Sequence, residues 1–467
     1  MGVADRQIIQ GDPRGCVWVV FAERDRREDC GVRARFPVHG DSGRSPRRTL
    51  PKMDVDAAGA ATPAELRSLM VDRLRGTRLV RTTPVEAAMR AVPRHLFVPD
   101  ATAGRAYSQE NIVTRRDADG VAVSSASAPG VVAGMLEQLD VQPGHRVLEI
   151  GAGTGYNAAL LAHLVGPAGQ VTTVDIDSEV VRGARECLAA ASYRGVSVFC
   201  GDGEFGYAGH APYDRIVVTA GAWDLPPAWV NQLAAGGRLV VPLRMRGLTR
   251  LIAFEREDGH WRSRSIKECG FIPMRGAGGV AERNIHLGSD SGVIVRIDDG
   301  QPADEKALSA ALDHPATLLP TGVTVSVTGH LDFWLAGLDG FGRLLAGSQA
   351  VDRGLVAPMF GWGSMGVFDQ GTFAYLTRSP TGETDGSQWP RYELGVCAYG
   401  PGSGELANRV ADRIRAWDRD CQSMTDLWIE VHPADTGDVP TGQVAIRKRH
   451  TQVIVRTAHL ADDLSGS

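Results

Sequence analysis

The feature that most constrains this chain is Leu148-Glu149-Ile150-Gly151-Ala152-Gly153-Thr154-Gly155. An apolar strand ends in an acidic residue and runs into glycines that let the backbone turn tightly and approach a ligand closely. Strands and helices alternate around it. The pattern predicts strands over Arg146–Ile150, Val171–Val174, Val196–Cys200, Arg215–Thr219 and Arg238–Val241, the last preceded by a Gly236-Gly237 turn. Helices are expected over Val131–Leu139, Ala158–Val165, Glu179–Ala191 and Trp229–Leu233. Such alternation implies an α/β fold with a doubly wound parallel sheet. A hairpin through Asp258-Gly259 should join Leu251–Phe254 to Trp261–Ile266.

The loop is not the dinucleotide pattern, because the third glycine follows the second by two residues. Asp175 closes the next strand, placed to accept hydrogen bonds from two ribose hydroxyls. Gly201-Asp202-Gly203 closes the third, where a carboxylate can accept from an adenine amino group. With Glu149, one carboxylate at each of three successive strand ends outlines a nucleoside with an amino-acid tail. This points to S-adenosylmethionine, with Glu149, Gly151, Gly153, Gly155, Asp175, Asp202 and Gly203 as its expected contacts.

The flanks are less regular. A chain of 467 residues is too long for one core. Residues 1–58, with a mixed-charge run from Glu23 to Asp29, read as a disordered extension in which Val17–Phe21 could form one strand. The folded protein then starts near Met53. Thr62-Pro63-Ala64-Glu65 and Thr83-Pro84-Val85-Glu86 each predict a helix start with threonine as N-cap, and Leu66, Leu69, Met70 and Leu74 should share one face. Arg94–Pro99 reads as extended. After Gly276–Gly279 the texture changes, with strands expected over Gly322–Val327, Thr372–Thr377, Leu394–Ala398, Leu427–Val431 and Gln443–Arg456, and an amphipathic helix over Glu405–Trp417. The expected division is residues 59–280 for the cofactor domain and 290–460 for a second, α+β domain that could recognise substrate.

Composition excludes some classes. A net charge of −5 gives no general attraction to nucleic acid or anionic membrane. No apolar run is long enough to span a bilayer, and no secretion signal opens the chain, so a cytoplasmic monomer is the expectation. Seven scattered cysteines form no C-x-x-C pair, and no metal is expected.

The segment Arg94–Met274, about 40% of the chain, resembles the protein-L-isoaspartate O-methyltransferases. The pieces that carry the resemblance are Arg94-His95-Leu96-Phe97-Val98-Pro99, Ser125-Ala126-Ser127-Ala128-Pro129, the glycine loop, Gly201–Gly206, Ala211–Asp214, Leu233–Leu239 and Phe271–Met274. The resemblance implies a Rossmann-like class I methyltransferase domain. It places the family's Thr-Ile-Ser-x-Pro serine on Ser127, as the catalytic residue, and its threonine on Ser125. Ser124 to Ser127 would then cover the cofactor and the substrate carboxylate, with Ser124 and Ser125 on the cofactor and Ser125 and Ser127 on the substrate. Two positions depart from the family pattern: Gly130, where an aromatic or histidine often stands, and Arg275, where the family has threonine. The long C-terminal part resembles the subgroup found with lanthipeptides and graspetides. That subgroup methylates an aspartate of a cyclised ribosomal precursor peptide, and the ester goes on to aspartimide or isoaspartate. Repair of isoaspartyl residues in damaged proteins is the alternative.

No general base is needed, because a carboxylate is already ionised at pH 7. Ser127 has no hydrolase-like His and Asp partners in sequence and is not read as a nucleophile. His95 and His163 read as packed or surface histidines. Tyr107 could line a peptide groove or belong to the core. Arg447-Lys448-Arg449-His450 reads as a solvated hairpin tip that could meet an acidic peptide, and Phe333, Trp334 and Trp428 read as core.

Overall fold

The computed structural model describes residues 61–457, apart from 290, 298–299, 327, 329, 361–362, 387–388, 421–426 and 438–443. The expected extension over residues 1–58, its strand Val17–Phe21 and the start at Met53 lie outside the described residues. Helix α1 (Pro63–Gly76) begins as its sequence demands. The Thr62 hydroxyl accepts from the Glu65 N–H, and the Glu65 carboxylate accepts from the Thr62 N–H at 2.7 Å. Its buried face is Leu66, Met70, Val71 and Leu74; Leu69 is 51% exposed, so that expectation is off by one position of the face. Helix α2 (Thr83–Ala91) takes Thr82, not Thr83, as N-cap. The Thr82 hydroxyl and N–H both donate to Glu137, which draws the cap back one residue.

Arg94–Phe97 is a 3-10 turn rather than an extended segment. The Leu96 N–H donates to the Pro93 carbonyl at 3.0 Å and the Val98 N–H to the His95 carbonyl, which closes the turn. A short helix α3 (Ala103–Ala106) leads to a hairpin, β1 (Ile112–Arg116) and β2 (Ala122–Ala126). Then follow α4 (Pro129–Leu139), β3 (Arg146–Ile150), α5 (Tyr156–Val165), β4 (Gln170–Asp175), α6 (Ser178–Ala190), β5 (Ser197–Cys200), β6 (Tyr213–Val218) and α7 (Pro227–Gln232). Strands β7 (Leu233–Met245), β8 (Leu248–Glu257) and β9 (His260–Glu268) complete this half. Strand β7 runs through Gly236-Gly237, which form an irregularity beside Asp214 instead of a turn before the strand. Asp258 and Gly259 turn β8 into β9 with φ of 46° and 86°, as their sequence predicts.

The second part holds β10 (Arg283–Leu287), β11 (Val293–Ile297), α8 (Glu305–Ser309), β12 (Thr317–Val325), α9 (Leu331–Ala336), β13 (Phe341–Ala346), α10 (Ser348–Asp352), β14 (Gly363–Asp369), β15 (Thr372–Thr384), β16 (Pro390–Tyr399) and α11 (Ser403–Asp420). Strands β17 (Leu427–Pro433), β18 (Val444–Arg447) and β19 (Thr451–Thr457) end it. The expected single strand Gln443–Arg456 is therefore a hairpin, with Lys448 to His450 at its tip.

Two large sheets result. The first has the order β18-β19-β17-β9-β8-β7-β6-β3-β4-β5, and the second β10-β11-β13-β14-β15-β16-β12. Strands β5, β4, β3, β6 and β7 are parallel, and the remaining pairs of the first sheet are antiparallel. Chain order reverses direction between β3 and β6, the place where open α/β sheets take their ligands. The proposed split at 290–460 does not follow the sheets: the second sheet begins at Arg283, and β17 to β19 return to the first.

The faces of the first sheet are covered differently. Val147 of β3 faces α2, α4, α5 and α6, whereas its neighbours Leu148 and Ile150 point to the opposite side. On that side Leu243, Met245, Leu248, Ile252 and Phe254 share one core with Leu331, Phe333, Phe341, Ile414 and Trp417. The second sheet's helices are thus continuous with the core of the first, and Phe333 is buried as expected. Polar ties cross the same seam: Arg343 donates to the Gly247 carbonyl at 2.9 Å, and Arg250 pairs with Asp332. Among the described residues no helix is long and apolar enough to cross a membrane.

Candidate active site

The glycine loop leaves β3 at the switch point. Gly151 has φ +101°, and a Cβ there would stand 2.4 Å from Thr219 Oγ1. That hydroxyl donates to the Gly151 carbonyl at 2.6 Å and so ties the loop to the end of β6. The Gly153 N–H donates to Asp175 Oδ2 at 3.2 Å, and Gly155 packs on Ala184 and Leu188 of α6 as it caps α5. Glu149 is fully buried beneath the loop. Its two oxygens accept from Asn157 Nδ2 at 2.8 Å and Thr173 Oγ1 at 2.7 Å. Burial pushes its carboxyl up to about 7, against those two hydrogen bonds. With no exposed atom, it fixes the first turn of α5 and the strand that carries Asp175.

The carboxylates at the ends of β4 and β5 stand beside the glycine loop and the turn at Gly276–Gly278. Asp175 accepts from the N–H groups of Gly153 and Asp177; burial raises its carboxyl, against those donors. Asp202 accepts from the Glu204 N–H at 3.0 Å and the Ala277 N–H at 2.7 Å. A carboxylate has about four acceptor sites, so both keep capacity for a ligand. Two neighbours were not legible as site residues: Ile176 and Phe205, 38% and 62% exposed, present apolar surface beside Asp175 and Asp202. Large apolar side chains left open at two strand ends suit the faces of a purine. Gly203 packs under this position; a Cβ there would stand 2.5 Å from Ile150 Cγ2.

The β1–β2 hairpin brings the serines over the loop. A Cβ on Gly153 would lie 3.8 Å from the Ser125 carbonyl oxygen. Ser124 Oγ pairs with Thr114 Oγ1 at 3.1 Å, and Arg115 links the hairpin to Asp177 at 3.3 Å. Ser127 is half-buried at the end of the hairpin, ahead of α4. Its carbonyl accepts from Arg94 Nη2 at 2.8 Å, and Arg94 Nε donates to the Ala106 carbonyl at 2.8 Å. Arg94 is fully buried over the Tyr156 ring, with no carboxylate partner among the described residues. It anchors the serine segment from below, a role that no local signal revealed.

Tyr107 is 5% exposed and its hydroxyl meets His95 Nδ1 at 2.8 Å; its surroundings are those of a core tyrosine rather than a peptide groove. His163 is exposed on α5. Gly130 stands where a Cβ would meet the side-chain ends of Leu79 at 3.0 Å and Gln109 at 3.2 Å, so a larger residue there would have to shift both. Arg275 turns to Asp177 at 3.7 Å, and its charge also acts on the neighbouring Asp175 carboxyl.

The basic turn is not solvated throughout. Lys448 is buried, its ammonium donating to the carbonyls of Trp223 and Arg244 and lying 4.7 Å from the Trp223 ring centre. The His450 N–H donates to Asp224 at 2.7 Å, and Arg449 Nη1 donates to the Ala277 carbonyl at 2.8 Å. His450 Nε2 is 3.4 Å from Glu204. The tip therefore rests on the loops that follow β5, β6 and β9. Elsewhere, His260, Glu430 and His432 at the β9–β17 seam bring ligand-type atoms within 4.8 Å of one another. Burial alone would raise the Glu430 carboxyl, but hydrogen bonds from Trp428, His432 and Arg456 outweigh it and bring it down to about 2. With that carboxylate already paired to Arg456, the group acts as an ion-pair clasp between strands.

Similarity to known proteins bears on the first half. The family described as protein-L-isoaspartate(D-aspartate) O-methyltransferase matches residues 65–278. A protein-L-isoaspartate O-methyltransferase of Methanopyrus kandleri is 44% identical over 218 residues, which is 46% of this chain and 94% of the relative. One from Aeropyrum pernix is 44% identical over 220 residues, covering 47% of this chain and 82% of the relative. A solved protein-L-isoaspartate O-methyltransferase aligns over 78% of this chain and 96% of its own, at 21% identity and a TM-score of 0.44. Another, from Plasmodium falciparum in complex with S-adenosyl-L-homocysteine, aligns over 45% and 97%, at 18% identity and a TM-score of 0.39.

Proposed function

The chain belongs to the protein-L-isoaspartate O-methyltransferase family, and from that premise we propose that it methylates an aspartate side chain of a modified ribosomal precursor peptide. The coarser activity is that of the family: carboxyl methylation of a peptide or protein with S-adenosylmethionine as donor. The observation that carries the finer reading is the Lys448–His450 tip, which brings the C-terminal part of the chain onto the loops that frame the cofactor site.

The residues suit the donor. Asp175 and Asp202 have acceptor capacity for ribose and adenine, Ile176 and Phe205 offer apolar faces, and the glycine loop admits close approach of the methionine part. When bound, the donor supplies an electrophilic methyl group. The protein's task is to orient a carboxylate that is already ionised. The Ser125 and Ser127 hydroxyls can donate to that carboxylate while leaving one oxygen lone pair aimed at the methyl. The resulting ester makes methoxide the leaving group for attack by the next backbone nitrogen. Imide closure then releases methanol without further demand on the enzyme.

A repair role is the second reading, favoured by the 44% identical relatives, which carry the isoaspartate name. The two separate in one assay of methyl transfer to cyclised precursor, linear precursor and a generic isoaspartyl peptide. Preference for the cyclised precursor supports tailoring; efficient turnover of the isoaspartyl peptide alone overturns it.

A further inference from the structure

The family match ends at residue 278, one position beyond the residue that Arg449 touches. The loops under the tip are thus shared with the family, and the tip itself is not. Relatives match this chain over almost their whole length without it. Methyl transfer as such therefore does not call for Arg449, and its placement asks for another purpose.

That placement is firm. A buried ammonium is costly unless its donors are satisfied, and Lys448 is satisfied by two carbonyls of the loop and strand that follow β6. Asp224 is clasped from the tip by the His450 N–H and the Thr451 hydroxyl. Between these anchors Arg449 projects outward. Its guanidinium is exposed, gives one hydrogen bond to the Ala277 carbonyl, and leaves the rest of its planar fork open among the described residues. Arg447, also exposed, stands two residues away on the same tip. The acids nearby are already engaged: Asp202 by the Glu204 and Ala277 N–H groups, Glu204 by His450 with a weaker pull from Arg449 itself, Asp224 by the tip, and Asp177 by Arg115 and Arg275.

We propose that Arg449 forms a subsite for a second carboxylate of the peptide acceptor, so that the enzyme selects peptides in which another acidic side chain lies near the one to be methylated. The proposal rests on the peptide-acceptor reading above. An arginine fork seated beside the site matches a carboxylate in two-point geometry, which lysine does not reproduce. It also explains why a cofactor domain carries a cationic tip from residues about 170 positions downstream.

The test uses the full chain loaded with S-adenosyl-L-homocysteine and two labelled isoaspartyl peptides that differ in one neighbouring Glu or Gln. Anisotropy should show the Glu peptide binding about fivefold tighter, with the difference shrinking as salt rises. Arg449→Ala should remove the difference, Arg449→Lys should restore part of it, and affinity for S-adenosyl-L-homocysteine should stay unchanged in both. Equal preference in wild type and Arg449→Ala overturns the proposal. So does a loss of cofactor affinity in Arg449→Ala, since the tip would then serve the cofactor. If the binding preference holds while neither these peptides nor the cyclised precursor is methylated, the subsite stands and the acceptor reading fails.

Discussion

The Ala277 N–H donates to Asp202 Oδ2 at 2.7 Å, so the turn after the family's last shared strand holds the carboxylate expected to read adenine. The turn can come this close only because Gly276 has φ +82° and no side chain; a Cβ there would stand 2.3 Å from the same oxygen. Gly276→Ala should therefore displace Asp202 and weaken S-adenosyl-L-homocysteine binding about tenfold by calorimetry, in step with Asp202→Ala. Full affinity in both variants would remove Asp202 from the cofactor site.

Two carboxyls should give opposite pH signatures. The Glu149 pKa is raised to about 7, so its folded state is relatively most stable when the group is protonated. That contribution is lost as pH rises from the unfolded value near 4.5 through 7. Glu149→Gln should accordingly gain on wild type in melting temperature between pH 5 and 8. Glu430 is held at about 2, so its contribution is present above 4.5 and lost as pH falls toward 2. Glu430→Gln should be less stable than wild type at pH 7, with the gap closing in acid. Parallel melting curves for either pair across pH would refute the assignment.

Arg94 holds the carbonyls of Ala106, Ala126 and Ser127 with one guanidinium. Arg94→Lys keeps the charge but cannot span three acceptors in a plane. The expected result is a kcat lowered about tenfold, with cofactor affinity retained and a melting temperature lower by several degrees. Unchanged turnover would mean that the serine segment keeps its position without this anchor.

Ser127→Ala should lower turnover about tenfold, the loss of one orienting hydrogen bond, while leaving cofactor affinity as it was. Stopped-flow methyl transfer beside calorimetry separates the two. A cofactor defect with normal turnover would move Ser127 out of the acceptor site.

Much of the first sheet is legible because buried parallel strands are short apolar runs closed by glycine or acid, as in Val147 to Gly151. Asp175 and Asp202 are legible for the same reason, since each ends such a run. The β1–β2 hairpin is not, because Val113 and Val121 are exposed and its serines and arginines carry no apolar alternation. Strands β13 and β14 are masked by Gly342, Gly363 and Gly366, whose missing side chains make room for Phe368 and Phe373 and for close backbone. Long-range polar contacts leave no periodic trace at all. Arg94 under Ser127 and Lys448 on Trp223 are meetings of distant segments, and only the folded chain brings them together.

The pairing of β17 with β9 has a consequence for how the protein is made. Strand β9 leaves the ribosome about 160 residues before the strand that covers its edge. At ordinary synthesis rates that interval is roughly 8–30 s. Throughout it the nascent cofactor domain carries an unpaired strand edge, the kind of surface on which chains join one another. Covering that edge therefore waits on strand β17, which follows the cofactor domain's own strands at a long distance in sequence.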